Sequence, residues 1–94
     1  MVKQWYVYIL TNNKNNLFYT GVTNNLQRRI FEHRNSINPN SYTTKYKLFK
    51  LVWAQPYNTP LEAIQIEKKV KDYRQEKKLR LIKTNNPELS NLDT

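Results

Sequence analysis

Two aromatic, β-branched runs separated by a wholly polar one constrain this chain most. Trp5 to Thr11 (WYVYILT) and Leu17 to Val22 (LFYTGV) both alternate, and Asn12-Asn13-Lys14-Asn15-Asn16 lies between them. This pattern predicts a β-hairpin, because asparagine tolerates left-handed backbone and bonds to its own turn. A turn centred between Asn13 and Lys14 would set Tyr8 opposite Tyr19 and Tyr6 opposite Gly21. Directly opposed residues share a face of the sheet, so two phenols would stand side by side. Gly21, the only glycine of the chain, leaves bare backbone close by. A side chain there would crowd Tyr6 or block the approach of a phosphate.

A helix is expected next. Thr23, Asn24 or Asn25 can cap it, and Leu26 to Arg34 can form it. At 3.6 residues per turn, Leu26, Arg29, Ile30 and His33 share one stripe, while Arg28 points to the far side. A cation on a core-facing stripe is costly unless something pairs with it.

Together these residues resemble the GIY-YIG endonuclease signature. Tyr6-Val7-Tyr8 stands for its first half. Tyr19-Thr20-Gly21 follows with Tyr19 eleven residues after Tyr8, and Arg29-x-x-x-His33 begins eight residues after Gly21. The chain departs from the signature at Tyr6, where the family has its first glycine, and at the middle positions Val7 and Thr20. The resemblance covers most of the chain and is closest to the small stand-alone bacterial (YhbQ-like) members. It implies a three-stranded antiparallel sheet flanked by helices and hydrolysis of phosphodiesters with a divalent ion, Mg²⁺ or Mn²⁺. DNA is then the expected substrate, ahead of RNA, in repair or recombination. Larger members add separate domains for target choice. This chain has no room for one, so it is expected to be unselective or guided by a protein partner.

The charge agrees. Sixteen Lys and Arg against seven Asp and Glu give a net charge of +9, which suits a polyanion, most commonly nucleic acid. The alternative is a basic surface without such a partner. The absence of cysteine excludes disulfides and thiolate metal sites. The seven acids, Glu32, Glu62, Glu67, Asp72, Glu76, Glu88 and Asp93, form no paired-carboxylate motif. Two-metal nucleases need several carboxylates. One ion on one carboxylate, completed by water and phosphate, suits magnesium. Ninety-four residues make one domain, 1–94. The N-terminus is too short in apolar length for a secretory signal, and no run approaches a membrane span. A cytoplasmic protein with no membrane partner is expected, its oligomeric state open.

The rest of the chain completes an α+β pattern in the order β-β-α-β-α-α. Asn35 to Thr44 reads as a polar loop broken by Pro39. Lys45-Tyr46-Lys47 suits a phosphate backbone and a stacked base, or is simply the basic lead into a strand. Leu48 to Ala54, almost continuously apolar, reads as a buried central strand, with Gln55 to Asn58 a loop. Thr59-Pro60-Leu61-Glu62 announces a helix reaching Tyr73 or Arg74, with Glu62 the partner of the cap. A second helical stretch, about Glu76 to Thr84, ends at Asn85-Asn86-Pro87, and Leu89 and Leu92 can tack the tail to the core.

Among the candidate site residues, Glu67 shares a helix face with Ala63, Ile64 and Val70. Such a carboxylate wants a metal or a partner. It can equally form a solvated pair with Lys71 at i, i+4. By the resemblance, Glu67 holds the metal. Arg29 can cap the sheet or stack on an aromatic; by the resemblance it clamps the scissile phosphate, for which its planar fork is suited. A free tyrosine titrates near ~10 and is a poor base at neutral pH, though cations lower that value. The family assigns Tyr19 the base or water-positioning role and Tyr8 support beside it. His33 can share the proton work or bind phosphate. Asn86 lies where family members carry an asparagine that supports the site. Lys68, Lys69, Lys71, Arg74, Lys77, Lys78 and Arg80 form a basic block that can track a nucleic-acid backbone. No sequence-reading helix or zinc finger is present. The rival readings are a nucleic-acid-binding module of this fold with little or no turnover, and a small RNA-binding protein.

Overall fold

The structure, a computed structural model, describes residues 4–35, 37 and 40–93. Strand β1 (Trp5–Thr11) pairs antiparallel with β2 (Phe18–Thr23) on one side. The next elements are helices α1 (Leu26–Arg34) and α2 (Tyr42–Lys45), then strand β3 (Lys50–Tyr57), which pairs antiparallel with the other side of β1. Helices α3 (Pro60–Lys71) and α4 (Gln75–Lys83) complete the chain's elements. The sheet order is β2-β1-β3, so the first strand is the central one. Val7, Tyr8, Ile9 and Leu10 are accordingly all fully buried. The expected α+β class and three-stranded antiparallel sheet are both present.

The hairpin register is two residues away from the expected one. Tyr8 lies opposite Gly21, Tyr6 opposite Thr23, and Leu10 opposite Tyr19. The loop closes through its asparagines. The Asn15 N–H donates to the Asn12 carbonyl at 3.1 Å, with Asn15 left-handed at φ 56, and the Asn16 N–H donates to Asn12 Oδ1 at 3.1 Å. Thr11 Oγ1 then donates to the Leu17 carbonyl at 2.7 Å, which delays β2 to Phe18. The turn centre therefore moves by one residue. An even slip leaves every side chain on its expected face.

The apolar run Leu48 to Ala54 is corrected in both place and bounds. The strand starts at Lys50, continues through the expected loop to Tyr57, and lies at the sheet edge. Leu48 is buried, but its N–H turns back to the Thr43 carbonyl at 2.8 Å, after Lys47 at φ 57. Helices cover both faces of the sheet, so an edge strand is as apolar as a central one. Pro56, which cannot donate to a ladder, is tolerated at such an edge.

Asn25 caps α1, its side chain accepting from the Arg28 N–H at 3.1 Å. The expected polar loop contains α2, whose start Ser41 caps by accepting the Thr44 N–H at 3.3 Å. Pro39, the expected breaker, lies outside the described residues. Thr59 Oγ1 accepts the Glu62 N–H at 3.2 Å, as the cap motif predicts. Helix α3 stops at Lys71, short of the expected end, because Arg74 turns extended to cap α4.

The two faces of the sheet carry separate cores. Val7 and Ile9 pack with Val52, Ala63, Val70, Ile82 and Leu89 beneath α3 and α4. Tyr8 and Leu10 pack with Ile30, Leu48 and Leu51 beneath α1. Leu89 tacks the tail by burial. Leu92 is exposed instead, and only its N–H is used, donating to the Leu51 carbonyl at 2.8 Å. Among the described residues no helix is long and apolar enough to cross a membrane.

Candidate active site

The α1 face of the sheet gathers the titratable aromatics. Tyr8 projects from the central strand across Gly21 of β2. A Cβ on Gly21 would sit 2.5 Å from Tyr8 Cζ and Oη and 2.9 Å from Tyr19 Cε2. The glycine is therefore required for space, since its φ is not positive. The neighbour it accommodates is Tyr8, not the expected Tyr6. Tyr19 stands diagonally on the same face, its ring 6.2 Å from that of Tyr8.

His33 on α1 closes the triangle. Its ring lies 6.1 Å from Tyr8 and meets Tyr19 edge-on at 5.6 Å. His33 Nε2 is 3.2 Å from the Tyr8 hydroxyl, and Nδ1 is 2.7 Å from Thr43 Oγ1 on α2. Thr43 in turn meets Ser41 Oγ at 3.2 Å. Arg29, one turn before His33, remains 41% exposed and donates through Nη1 to Glu32 Oε1 at 3.2 Å. Arg29, Glu32, His33, Ile37 and Ser41 line a cleft of about 110 Å³. Arg28 is exposed on the other side of the helix.

The electrostatics follow from this burial. Burial pushes the Tyr8 phenol up to about 12, assisted by Tyr19 and opposed by Arg29. Tyr8 is therefore neutral here and keeps its phenolic proton. Burial, then the Arg29 charge, lowers the His33 pKa from its ordinary value near 6.5, with Glu32 opposing. His33 is thus a neutral imidazole at pH 7. The Arg29 pKa is raised, chiefly by the Tyr8 hydroxyl beside it, so the guanidinium stays charged. A half-open cation next to a neutral, proton-accepting ring suits a phosphate and the proton released at it.

Tyr8, Tyr19, Gly21, Arg29 and His33 are thus brought together, and other candidates lie elsewhere. Glu67 is on α3, against the opposite face of the sheet. Its side chain is only 14% exposed and accepts from Lys71 Nζ at 3.5 Å. None of its hydrogen bonds or ion pairs reaches the tyrosine–histidine group. Asn86 is buried, donating to the Val52 and Ser90 carbonyls and accepting the Ser90 N–H, so it pins the C-terminal turn to β3. Lys45, Tyr46 and Lys47 are exposed at the end of α2. The Tyr46 ring lies 4.9 Å from that of Tyr42, with Lys45 Nζ 5.5 Å from it. Tyr46 and Lys47 share a groove of about 390 Å³ with hairpin residues including Lys14. Lys71 and Arg74 are exposed where α3 gives way to α4.

Three residues of the site escaped sequence reasoning. The i, i+3 spacing of Glu32 from Arg29 was a signal that could have found it. Ser41 and Thr43 sit in a polar stretch with no local pattern to mark them.

Residues 4–80 match the family model described as the GIY-YIG catalytic domain. A UPF0213 protein of Staphylococcus saprophyticus is 32% identical over 77 residues, covering 82% of this chain and 92% of that protein. A UPF0213 protein of Photorhabdus laumondii is 34% identical over 79 residues, covering 84% and 74% respectively. The solution NMR structure of a UPF0213 protein from Bacillus halodurans is similar at a TM-score of 0.58 and 31% identity, covering 97% of this chain and 98% of that one.

Proposed function

This chain belongs to the GIY-YIG family, and on that premise we propose that it is a divalent-metal-dependent endonuclease that hydrolyses phosphodiester bonds in DNA with little sequence preference. One observation carries the reading. The rings of Tyr8, Tyr19 and His33 are held within 6.2 Å of one another beside a charged, half-open arginine.

In the proposed reaction Arg29 binds the scissile phosphate. Glu32 takes a hydrogen bond from Nη1 and the Tyr8 hydroxyl lies beside the guanidinium, whose exposed donors are offered to phosphate oxygens. Tyr19, the more open phenol, orients the attacking water, and Tyr8 supports it from behind. His33 accepts the proton that this step releases. Glu67 suits a single hard ion in donor chemistry, being a shielded carboxylate engaged by one long ion pair. Among the described residues no three His, Cys, Asp or Glu side chains group as a metal site, so water and phosphate would complete the shell. When bound there, Mg²⁺ or Mn²⁺ would supply charge to stabilise the leaving oxygen.

Lys45, Tyr46, Lys47, Lys71 and Arg74, with bare backbone at Gly21, are assigned to the nucleic acid. Contacts of this kind follow the backbone rather than the sequence. Asn86 supports the site only through the turn it pins. The net charge of +9 favours a polyanion, and we place the protein in the cytoplasm with DNA ahead of RNA.

A second reading, a binding module of this fold with little turnover, is favoured by the pairing of Glu67 with Lys71 on α3, the helix over the face of the sheet opposite Tyr8. The deciding experiment is a cleavage panel of single-stranded, duplex, nicked and branched DNA, with RNA alongside. Each substrate is incubated with Mg²⁺ or Mn²⁺, and with EDTA. Metal-dependent cutting of DNA is expected; tight binding without cutting under any condition would leave the module.

A further inference from the structure

The short helix α2 presents the Thr43 hydroxyl to the back of His33, and its cap Ser41 meets that hydroxyl from behind. Counting protons fixes the direction of this chain of hydrogen bonds. Ser41 Oγ donates to Thr44 Oγ1 at 3.0 Å and accepts the Thr44 N–H at 3.3 Å. A hydroxyl has one proton to give and two lone pairs. Having given its proton, Ser41 accepts from Thr43 across their 3.2 Å contact. Thr43 has then given its own proton as well. Across the 2.7 Å contact with His33 it can only accept, so Nδ1 carries the imidazole hydrogen. A neutral imidazole carries one N–H, which leaves Nε2 bare and facing the Tyr8 hydroxyl at 3.2 Å.

We propose that Ser41 and Thr43 are positioning residues that hold His33 in the Nδ1–H form, so that Nε2 takes the proton of Tyr8 during phosphodiester cleavage. The step deepens the endonuclease reading and rests on it. As the water oxygen bonds to phosphorus, the bond from phosphorus to the leaving oxygen breaks. The water proton passes through Tyr19 to the Tyr8 oxygen. The Tyr19 ring stands 6.2 Å from that of Tyr8 on the same face of the sheet, which puts the two phenols in succession along this path. The proton of Tyr8 moves to Nε2, and His33 becomes an imidazolium whose Nδ1–H still points at Thr43. The leaving oxygen takes a proton from solvent, and His33 later returns its own.

The surroundings suit a transient imidazolium rather than a resident one. From α1, Arg29 opposes the charge on His33 and Glu32 favours it. Tyr8 and Tyr19 face it from the sheet, and α2 contributes only neutral hydroxyls. With Thr43→Val the acceptor at Nδ1 disappears while shape is nearly kept. The imidazole hydrogen would then move to Nε2 and block the transfer. Ser41→Ala would act less directly, by freeing the Thr43 proton to point at Nδ1.

Nitrogen-15 NMR of the His33 ring tests this without requiring activity. The expected spectrum of the unaltered protein is Nδ1–H with Nε2 bare. Thr43→Val should move the population towards Nε2–H and slow single-turnover cleavage by about 10²-fold, the lower end for a lost general base. Thr43→Ser should restore both. The acid limb of the pH–rate profile should follow His33 in the unaltered and serine proteins and lose that dependence in the valine protein. If Thr43→Val fails to fold by its melting curve, Ser41→Ala carries the same expectation. An Nε2–H spectrum in the unaltered protein, or an unchanged tautomer in Thr43→Val, would overturn the proposal. If no preparation cuts nucleic acid, the endonuclease reading fails while the ring spectrum still decides the tautomer.

Discussion

The two faces of the sheet are made from alternate residues of the same strands, yet they have opposite characters. Val7 and Ile9 look towards α3 and α4 into a core of aliphatic side chains with Trp53. Tyr8, between them in sequence, looks towards α1 and meets His33, with Arg29 and Tyr19 close by. The first face supplies most of the apolar burial, which leaves the second able to carry buried polar groups. A phenol and an imidazole removed from water cost stability, and the costs are limited because each is hydrogen-bonded. The contrast also isolates Glu67, the one residue of the proposed chemistry that belongs to the aliphatic side.

The largest expected effect tests that isolation. Glu67→Gln should abolish cleavage while leaving DNA binding largely intact, measured by single-turnover rates and by titration. Cutting at the unaltered rate would confine the chemistry to the α1 face. Unfolding would make Glu67 a part of the aliphatic core.

Next is the pair of adjacent arginines on α1. Arg29→Ala should lose on the order of 10² to 10³ in rate with its circular dichroism unchanged, as expected for removal of charge stabilisation at the transition state. Lysine at position 29 should rescue little, lacking the planar fork. Arg28→Ala should stay active at saturating DNA. Equal losses would mean that both sides of α1 meet the reacting phosphate.

The smallest effects come from neighbours on β2 that face opposite ways. Gly21→Ala puts a methyl into the Tyr8 ring and should lower stability by about 1–3 kcal/mol, as overpacking does. Thr20 faces α3 with a buried hydroxyl that has no partner among the described residues. Thr20→Val should therefore raise stability by about 1 kcal/mol, the low end of the cost of an unpaired buried group. Denaturant melts of both variants check this, and the same sign at both positions would contradict the contrast between the faces.

These faces could be read from the alternation of the strands, and they survived a wrong register because the slip was even. The α1 stripe was legible for the same reason, since helical period alone separates Arg29 from Arg28. Strand order was not legible. The run Leu48 to Ala54 records burial on two faces, and helices on both sides give an edge strand the same signature. Nor could Thr43 be found. Its bond to His33 joins a polar stretch to a helix ten residues away, and nothing local marks it. The hairpin register failed on side chains too, because Asn12 and Asn16 extend the turn by bonding to each other at 2.7 Å.

The missing Cβ at position 21 has a consequence for inheritance. Glycine is needed there while the Tyr8 ring lies over it and the Tyr19 ring lies beside it. Positions 8, 19 and 21 therefore form one unit under selection. A descendant that kept the phenol could not change the glycine without strain. One that first replaced Tyr8 by a smaller residue would remove the tightest contacts and leave only the edge of the Tyr19 ring to give way. Among relatives of this chain, a side chain at position 21 would then mark lineages in which position 8 had already lost its ring, and with it the hydroxyl that the proposed proton path uses.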